Sequence, residues 1–337
     1  MIYPWHTQAA AGLLARKARL PHALLLCGPA GTGKLAFAEA LTAAILCERP
    51  AKEGSACGKC ASCGWLGQGS HPDLRRLEPE ILSEAAEPEE GAEKKKPSLE
   101  IKIDQVRAIA DFIAMTSHHG GAKVVLIHPA EALNVNAANA LLKNLEEPPA
   151  GTYFLLVSHR WHWLLPTIRS RCERVMLPAP TAQAAGRWLS EQQVPDAELA
   201  LAQAGGAPLL ALQFDETYWR QREALLKAVN APRFDPLRVA EQLKDSPPAL
   251  VISLLQKWAF DLAWHKVTGK VRYHPDHAAG IAAAAGRLDL VEMLRFQRHM
   301  VGLQRIASHP LNVRLFLEQL LLDCANLLRG HPVAPTA

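Results

Sequence analysis

No run of about 18 apolar residues occurs in the 337-residue chain, so no membrane-crossing helix is expected. The start, Met1-Ile2-Tyr3-Pro4-Trp5-His6, lacks a basic stretch followed by an apolar core, which argues against a signal peptide and predicts a cytoplasmic protein. Charge of one sign is not in excess. Lys and Arg total 37 against 33 Asp and Glu, a net charge of +4, too little for a protein that coats DNA by its own field. Any contact with nucleic acid has to come from a local patch or from partners. No internal repeat of fixed period is present, and no polymerase or exonuclease active site is visible. What is present, 49% apolar and 21% charged residues, excludes a wholly disordered or collagen-like chain. The length predicts two or three domains at about 150 residues each.

The first half alternates strand-like and helix-like signals. Ala23–Cys27, Val124–Ile127 and Phe154–Val157 are short apolar runs that read as buried strands. Between them, helices are predicted from Leu35 to Leu46, from an Asp104 cap to about Met115 with Val106, Ile109, Ala110 and Ile113 near one face, and from Ala137 to Leu145. This alternation predicts a parallel sheet with helices on both faces. The pattern is broken at 78–99, where seven glutamates from Glu78 to Glu93 precede Lys94-Lys95-Lys96-Pro97. Such a segment reads as a disordered surface insertion. After Pro178-Ala179-Pro180 the strand signals stop. The expected order is an α/β domain over 1–178, a small helical domain over 179–214, and an all-helical domain over 215–330 whose helices include Leu250–His265, Leu288–Ala307 and Leu311–Leu328. Pro247-Pro248 and His309-Pro310 punctuate them, and the tail from His331 is expected to fray.

Gly28-Pro29-Ala30-Gly31-Thr32-Gly33-Lys34 follows a strand and opens a helix, the context of a Walker A phosphate loop. Gly28, Gly31 and Gly33 would let backbone N–H groups close around phosphate oxygens, and Lys34 would meet the β and γ phosphates. Position 35 is leucine, where a hydroxyl is needed to ligate Mg²⁺. The strand ending at Ile127 should lead into an aspartate, but His128-Pro129 follow, and Glu131 stands three residues late. Two independent losses predict no Mg²⁺ site and no ATP hydrolysis. Binding of ATP or ADP without hydrolysis stays open beside a loop that only shapes the turn.

Of seven cysteines, Cys47, Cys57, Cys60 and Cys63 cluster as C-x9-C-x2-C-x2-C among small and turn-forming residues. In a reducing compartment this reads as a closed structural Zn²⁺ site, with an iron–sulfur cluster as the alternative. His71 is unnecessary to a tetrahedron of thiolates. A nucleic-acid-reading knuckle is a minority reading, because only Lys52, Lys59 and Trp65 surround it. Cys27, Cys172 and Cys324 read as core thiols. Farther on, Thr167-Ile168-Arg169-Ser170-Arg171-Cys172 offers an arginine at a domain edge, able to reach a phosphate in a neighbouring subunit. Trp161 and Trp163 fit a subunit contact or a local core equally well. The leucines from Leu315 to Leu327 are broad enough for a core and an interface together.

Taken together, the phosphate loop, the four-cysteine insertion, His71-Pro72-Asp73, the run Asn139-Ala140-Leu141-Leu142-Lys143-Asn144-Leu145-Glu146-Glu147-Pro148-Pro149 and Ser170-Arg171-Cys172 resemble the clamp-loader branch of the AAA+ ATPases, as found with bacterial DNA polymerase III. The likeness is strong over 1–178 and weaker over 179–330. It implies an AAA+ module of two domains followed by a helical collar in a hetero-pentameric ring, which places a sliding clamp on primed DNA. In that family the gamma and tau subunits hydrolyse ATP, delta opens the clamp, and a further subunit of similar fold lacks ATPase activity but supplies the Ser-Arg-Cys arginine to its neighbour. Leu35, His128 and Pro129, and the lack of an arginine at Gly205-Gly206-Ala207-Pro208, place this chain with the non-hydrolysing kind, with Arg171 as the finger. An ATP-binding gamma- or tau-like subunit is the alternative. The resemblance does not explain the 78–99 segment.

Overall fold

The computed structural model describes residues 2–82, 97–118, 121–231, 233–306 and 312–330. Most of the acidic insertion, the His309-Pro310 break and the tail from His331 lie outside them. The chain divides into two compact units, Met1–Pro180 and Thr181–Ala337.

In the first unit the elements run α1 (Thr7–Ala15), β1 (Ala23–Cys27), α2 (Lys34–Leu46), α3 (Ala61–Gly67), β2 (Leu74–Leu77), α4 (Ile103–Ala114), β3 (Lys123–Ile127), α5 (Val135–Glu146), β4 (Thr152–Ser158), α6 (Pro166–Arg169) and β5 (Glu173–Met176). The strands form one parallel sheet in the order β2-β3-β4-β1-β5. Every residue of β1 and β3 is buried, as covering both faces requires. Strand alternation sorts the side chains. Leu25, Cys27, Val125, Ile127, Phe154 and Leu156 face α4 and α5. Leu24, Leu26, Val124, Leu126, Leu155 and Val157 face α1 and α2. The expected parallel sheet with helices on both faces is therefore present.

Two local expectations need correction. Asp104 does not cap α4; it sits inside the first turn, beside Arg107. Lys102 holds the cap position, and its N–H donates to the Gln105 side chain at 2.8 Å. Ala110 is exposed, and Phe112 takes its place on the buried face with Val106, Ile109 and Ile113, since 3.6 residues per turn brings 112 and 113 back to the stripe. The two edge strands, β2 and β5, were not expected.

The second unit is entirely helical: α7 (Ala182–Glu191), α8 (Ala197–Gln203), α9 (Pro208–Ala211), α10 (Glu216–Val229), α11 (Pro236–Gln242), α12 (Pro248–Thr268), α13 (Ala278–Arg287), α14 (Leu290–Ile306) and α15 (Val313–Leu328). A small cluster of Ala185, Leu189, Ala200, Leu201 and Ala211 holds α7 to α9 together. A larger one, centred on Leu226, Trp258, Phe296 and Leu320, holds α10 to α15. Arg222 of α10, 1% exposed, spans the two groups of helices. It donates to Asp276 at 2.6 and 2.8 Å and to Gln203 of α8 at 3.2 Å. Leu317, Leu320, Leu321 and Leu327 enter the core, whereas Leu315 and Leu322 face outward.

The turn after α12 is fixed by a buried carboxylate. Asp261 accepts the backbone N–H groups of Arg272, Tyr273 and His274 at 2.8–3.1 Å and lies 2.9 Å from His274 Nδ1. Both side chains are fully buried, and burial keeps the His274 imidazole below its usual pKa. Asp261→Ala would strand three N–H donors without water. A loss of about 3 kcal/mol is expected, roughly what an unpaired buried polar cluster costs, read as a lower urea midpoint; a loss below about 1 kcal/mol would show that the turn holds without it.

Candidate functional site

The phosphate loop lies between the C-terminal end of β1 and α2. Its glycines answer to specific constraints. A Cβ at Gly28 would lie 2.4 Å from the Leu177 carbonyl oxygen, and Gly33, at φ 90°, would place one 2.2 Å from the Tyr3 ring. Lys34 is 2% exposed, donates from Nζ to the Pro29 carbonyl, and is pushed down to about 8 by burial. Leu35 packs against the apolar cluster of α1, α2 and the sheet, so the position that needs a hydroxyl is filled by core.

Residues ahead of α1 close over this loop, a feature that sequence reasoning missed. The Tyr3 and Trp5 rings stack at 5.1 Å. Trp5 Nε1 donates to the Thr32 carbonyl at 2.8 Å. His6 is fully buried, edge-on to Phe37, with Nε2 3.3 Å from the Pro178 carbonyl oxygen. The signal was readable as a cluster of three aromatic rings at positions 3, 5 and 6.

Beyond β3 and β4 stand His128 and His159, with their rings 5.4 Å apart. Burial lowers both, and Lys34's charge adds to the effect; His159 is held down to about 4. Two neutral imidazoles thus occupy the place where a divalent cation would need carboxylates. Glu131 is the carboxylate that does reach this crevice. One oxygen accepts the backbone N–H of His159 at 2.9 Å, the other is buried without a hydrogen-bond partner, and its charge favours protonated Lys34. His159 and the reach of Glu131 were not legible, because both depend on how two loops fold back.

Cys47, Cys57, Cys60 and Cys63 come together with all four sulfurs within 4.8 Å of one another. Three of the S···S distances are 3.8, 3.9 and 4.0 Å. Four thiolates about 2.3 Å from a tetrahedral ion have edges of about 3.8 Å, so the donor set fits a single metal ion. A multi-iron cluster, with each sulfur on a different iron, needs wider spacing. Backbone N–H groups donate to the sulfurs, Cys57 to Cys47, Cys63 to Cys60 and Lys59 to Cys57. The last two lower the Cys60 thiol to about 6 and the Cys57 thiol below its usual range.

His71 is not a fifth ligand. Ser62 Oγ donates to the Leu46 carbonyl and lies 2.7 Å from His71 Nε2, while His71 Nδ1 accepts the Asp73 N–H at 3.0 Å. The serine proton is committed to Leu46, so Nε2 carries the imidazole proton. The His71-Pro72-Asp73 motif therefore fastens the cysteine module to the start of β2.

Arg171 stands elsewhere. Its guanidinium pairs with Glu146 and donates to the Thr167 carbonyl at 2.9 Å. Two of the sequence runs that carry the resemblance, Asn139–Pro149 and Ser170-Arg171-Cys172, thus meet in space. Leu24 pairs with Glu173 in the sheet, and His22 Nε2 lies 2.9 Å from the Leu145 carbonyl oxygen, which puts Arg171 and Glu146 at the N-terminal edge of β1. The phosphate loop leaves the C-terminal edge. From the level of residue 22 to Gly28 is about 20 Å at 3.3 Å per residue. Arg171 cannot serve its own loop. Trp161 is held between Arg174 at 4.4 Å and Arg169 at 5.5 Å, and Arg160 covers the exposed Trp163 at 4.7 Å.

These features define an α/β phosphate-loop-type protein that keeps the glycine framework and lacks a hydroxyl at 35 and a carboxylate at 128. A family model described as "DNA polymerase III, delta subunit" matches residues 11–181, and its C-terminal counterpart matches 216–326. Subunit delta' of DNA polymerase III from Pseudomonas aeruginosa is 39% identical over 97% of this chain and 98% of its own. The Yersinia pestis subunit delta' is 34% identical over 95% of this chain and 94% of its own. Subunit tau of Bacillus subtilis is 31% identical over 58% of this chain and 31% of its own. The chain belongs to the delta-prime family of DNA polymerase III subunits.

The four-sulfur site predicts a measurable dependence on metal. Stripping the ion with a strong chelator under reducing conditions should expose all four thiols to a thiol reagent and lower the melting temperature by several degrees, with recovery on adding Zn²⁺. Unchanged thiol reactivity and melting would mean that no ion is held there.

Proposed function

We propose that this chain is the non-hydrolysing subunit of a clamp loader, acting with gamma or tau and delta subunits in a hetero-pentameric ring that loads a sliding clamp onto primed DNA. In this reading Arg171 enters the ATP site of a neighbouring subunit and stabilises the charge that develops on the transferred phosphoryl group. The observation that carries the reading is the separation of Arg171 from its own phosphate loop by the length of the strands. A finger so placed is useful only in trans. In this reading the Glu146 pair holds the guanidinium until a phosphate, which can take the same bidentate geometry, competes for it.

Leu35, His128 and His159 support the absence of hydrolysis, since none of them ligates Mg²⁺ in a phosphate-loop site. Gly28, Gly31, Gly33 and Lys34 keep a place for ATP or ADP phosphates without the means to cleave them. Zn²⁺ is the proposed ion for the four cysteines, with a structural role, because four thiolates leave no position for water or substrate. The whole AAA+ module, lid and collar division over 1–178, 179–214 and 215–330 belongs to the same proposal. Similarity to both delta' and tau subunits supports a place among such partners, and a polymerase activity would belong to the assembly.

ATP turnover by the reconstituted loader, with clamp and primed DNA, tests the finger. Arg171→Ala should lower turnover at least tenfold with the assembly intact; trans arginines in other phosphate-loop enzymes contribute about 10³–10⁵. Turnover within twofold of wild type in an intact assembly would remove the finger and leave a scaffold.

A further inference from the structure

Three helices of the second unit end at one pocket. Val229 closes α10, Arg287 closes α13 and Leu328 closes α15, and all three residues line a hollow of about 330 Å³. That is within the range of small-molecule sites. Arg233, Arg287 and Arg329 stand on its walls, and all three are exposed. No Asp or Glu lines the hollow, and none of the three arginines pairs with a carboxylate among the described residues. A cation at a helix C-terminus ordinarily answers the helix dipole. Here the magnitudes do not balance. At about half a negative charge per helix end, three ends offset about half of three guanidinium charges. The remainder is a positive field, and a concave surface concentrates it.

Asn230, the residue after α10, adds a donor to the same lining. Trp258 Nε1, which can only donate, lies 3.2 Å from Asn230 Oδ1, so the bond fixes which end of the amide is oxygen. The other end, Nδ2, is buried without a hydrogen-bond partner. A Cβ at Gly280 of α13 would lie 3.0 Å from Asn230 Cγ, so the glycine keeps room for the amide in this orientation. A buried donor left unpaired is costly, and an oxygen brought by a ligand would satisfy it.

The class of ligand follows from the number of donors. A carboxylate brings one charge and two oxygens, enough for a single guanidinium fork. A phosphate brings up to two charges and oxygens on several sides, which suits three forks and an amide. A nucleic-acid backbone would call for cations strung along successive phosphates, whereas these surround one hollow. Phe234 and Leu328 give the wall an apolar part, beside which an organic group can lie.

We propose that the pocket at the C-terminal ends of α10, α13 and α15 binds a small phosphate-bearing molecule. Its phosphate oxygens are held by Arg233, Arg287, Arg329 and Asn230, and its organic part rests against Phe234 and Leu328. The probe is inorganic pyrophosphate, titrated calorimetrically into the full-length chain without Mg²⁺. Lys34→Ala serves as the background, so that the phosphate loop contributes nothing to the signal. One site per chain is expected, half-saturated at about 1 mM or below, the affinity of two or three charge-assisted hydrogen bonds. In that background Arg287→Glu, Arg329→Glu and Asn230→Asp should each weaken binding about tenfold or more. Arg107→Glu, an equal charge reversal in the α/β unit, should change nothing, and thermal melts identify the variants that fold. Absence of saturable binding in the Lys34→Ala chain would overturn the proposal, as would wild-type affinity in folded Arg287→Glu and Arg329→Glu. Binding of primed DNA that Arg287→Glu abolishes, with no pyrophosphate bound, would make the pocket a nucleic-acid contact and overturn the small ligand.

Discussion

The polarity of five parallel strands governs this molecule. Because β1 and β5 run the same way, the loop that leaves β1 and the segment that enters β5 must lie on opposite edges of the sheet. That single constraint places the glycine loop and Lys34 at one edge and Arg171, with Glu146, at the other. The complete burial of β1 and β3 between two layers of helices makes the separation rigid. A chain built this way has an arginine and a phosphate loop that cannot meet within one copy.

The residues around the loop are held by packing. Leu35 joins the core that α2 makes with the sheet, and His128 and His159 are neutral rings pressed together where cation ligands would stand. Tyr3, Trp5 and His6 bind the loop to α2 and to Pro178, so the backbone geometry is kept by aromatic contacts and hydrogen bonds. The cysteine module follows the same logic on the neighbouring connection. Its sulfurs converge on one point, while Ser62 and His71 fasten it to α2 and β2 through a chain of buried hydrogen bonds.

Much of this was legible in the residues. The three central strands are continuous apolar runs, because both of their faces are covered, and the phosphate loop and the four cysteines are local patterns with fixed spacing. The edge strands were hidden. Leu74-Arg75-Arg76-Leu77 and Glu173-Arg174-Val175-Met176 are half-exposed and carry charge, so neither periodicity nor hydropathy marks them. Asp104 has the chemistry of a cap, but it falls inside the first turn, and Gln105 at the third helical position accepts the Lys102 backbone N–H instead. The Glu146–Arg171 pair, the approach of Glu131 to His159 and the Tyr3 contact with Gly33 join segments far apart in sequence, and only the sheet's register brings them together. Arg171 could be singled out from its motif, whereas its distance from its own loop needed the strand order.

The central claim is that the chain keeps a phosphate loop and has lost the means to hydrolyse ATP. Turnover of ATP by the purified chain alone, with Mg²⁺ and free of partner subunits, tests it most directly. The account predicts a rate no different from that of Lys34→Ala and from buffer. A Mg²⁺-dependent rate that Lys34→Ala abolishes would contradict it.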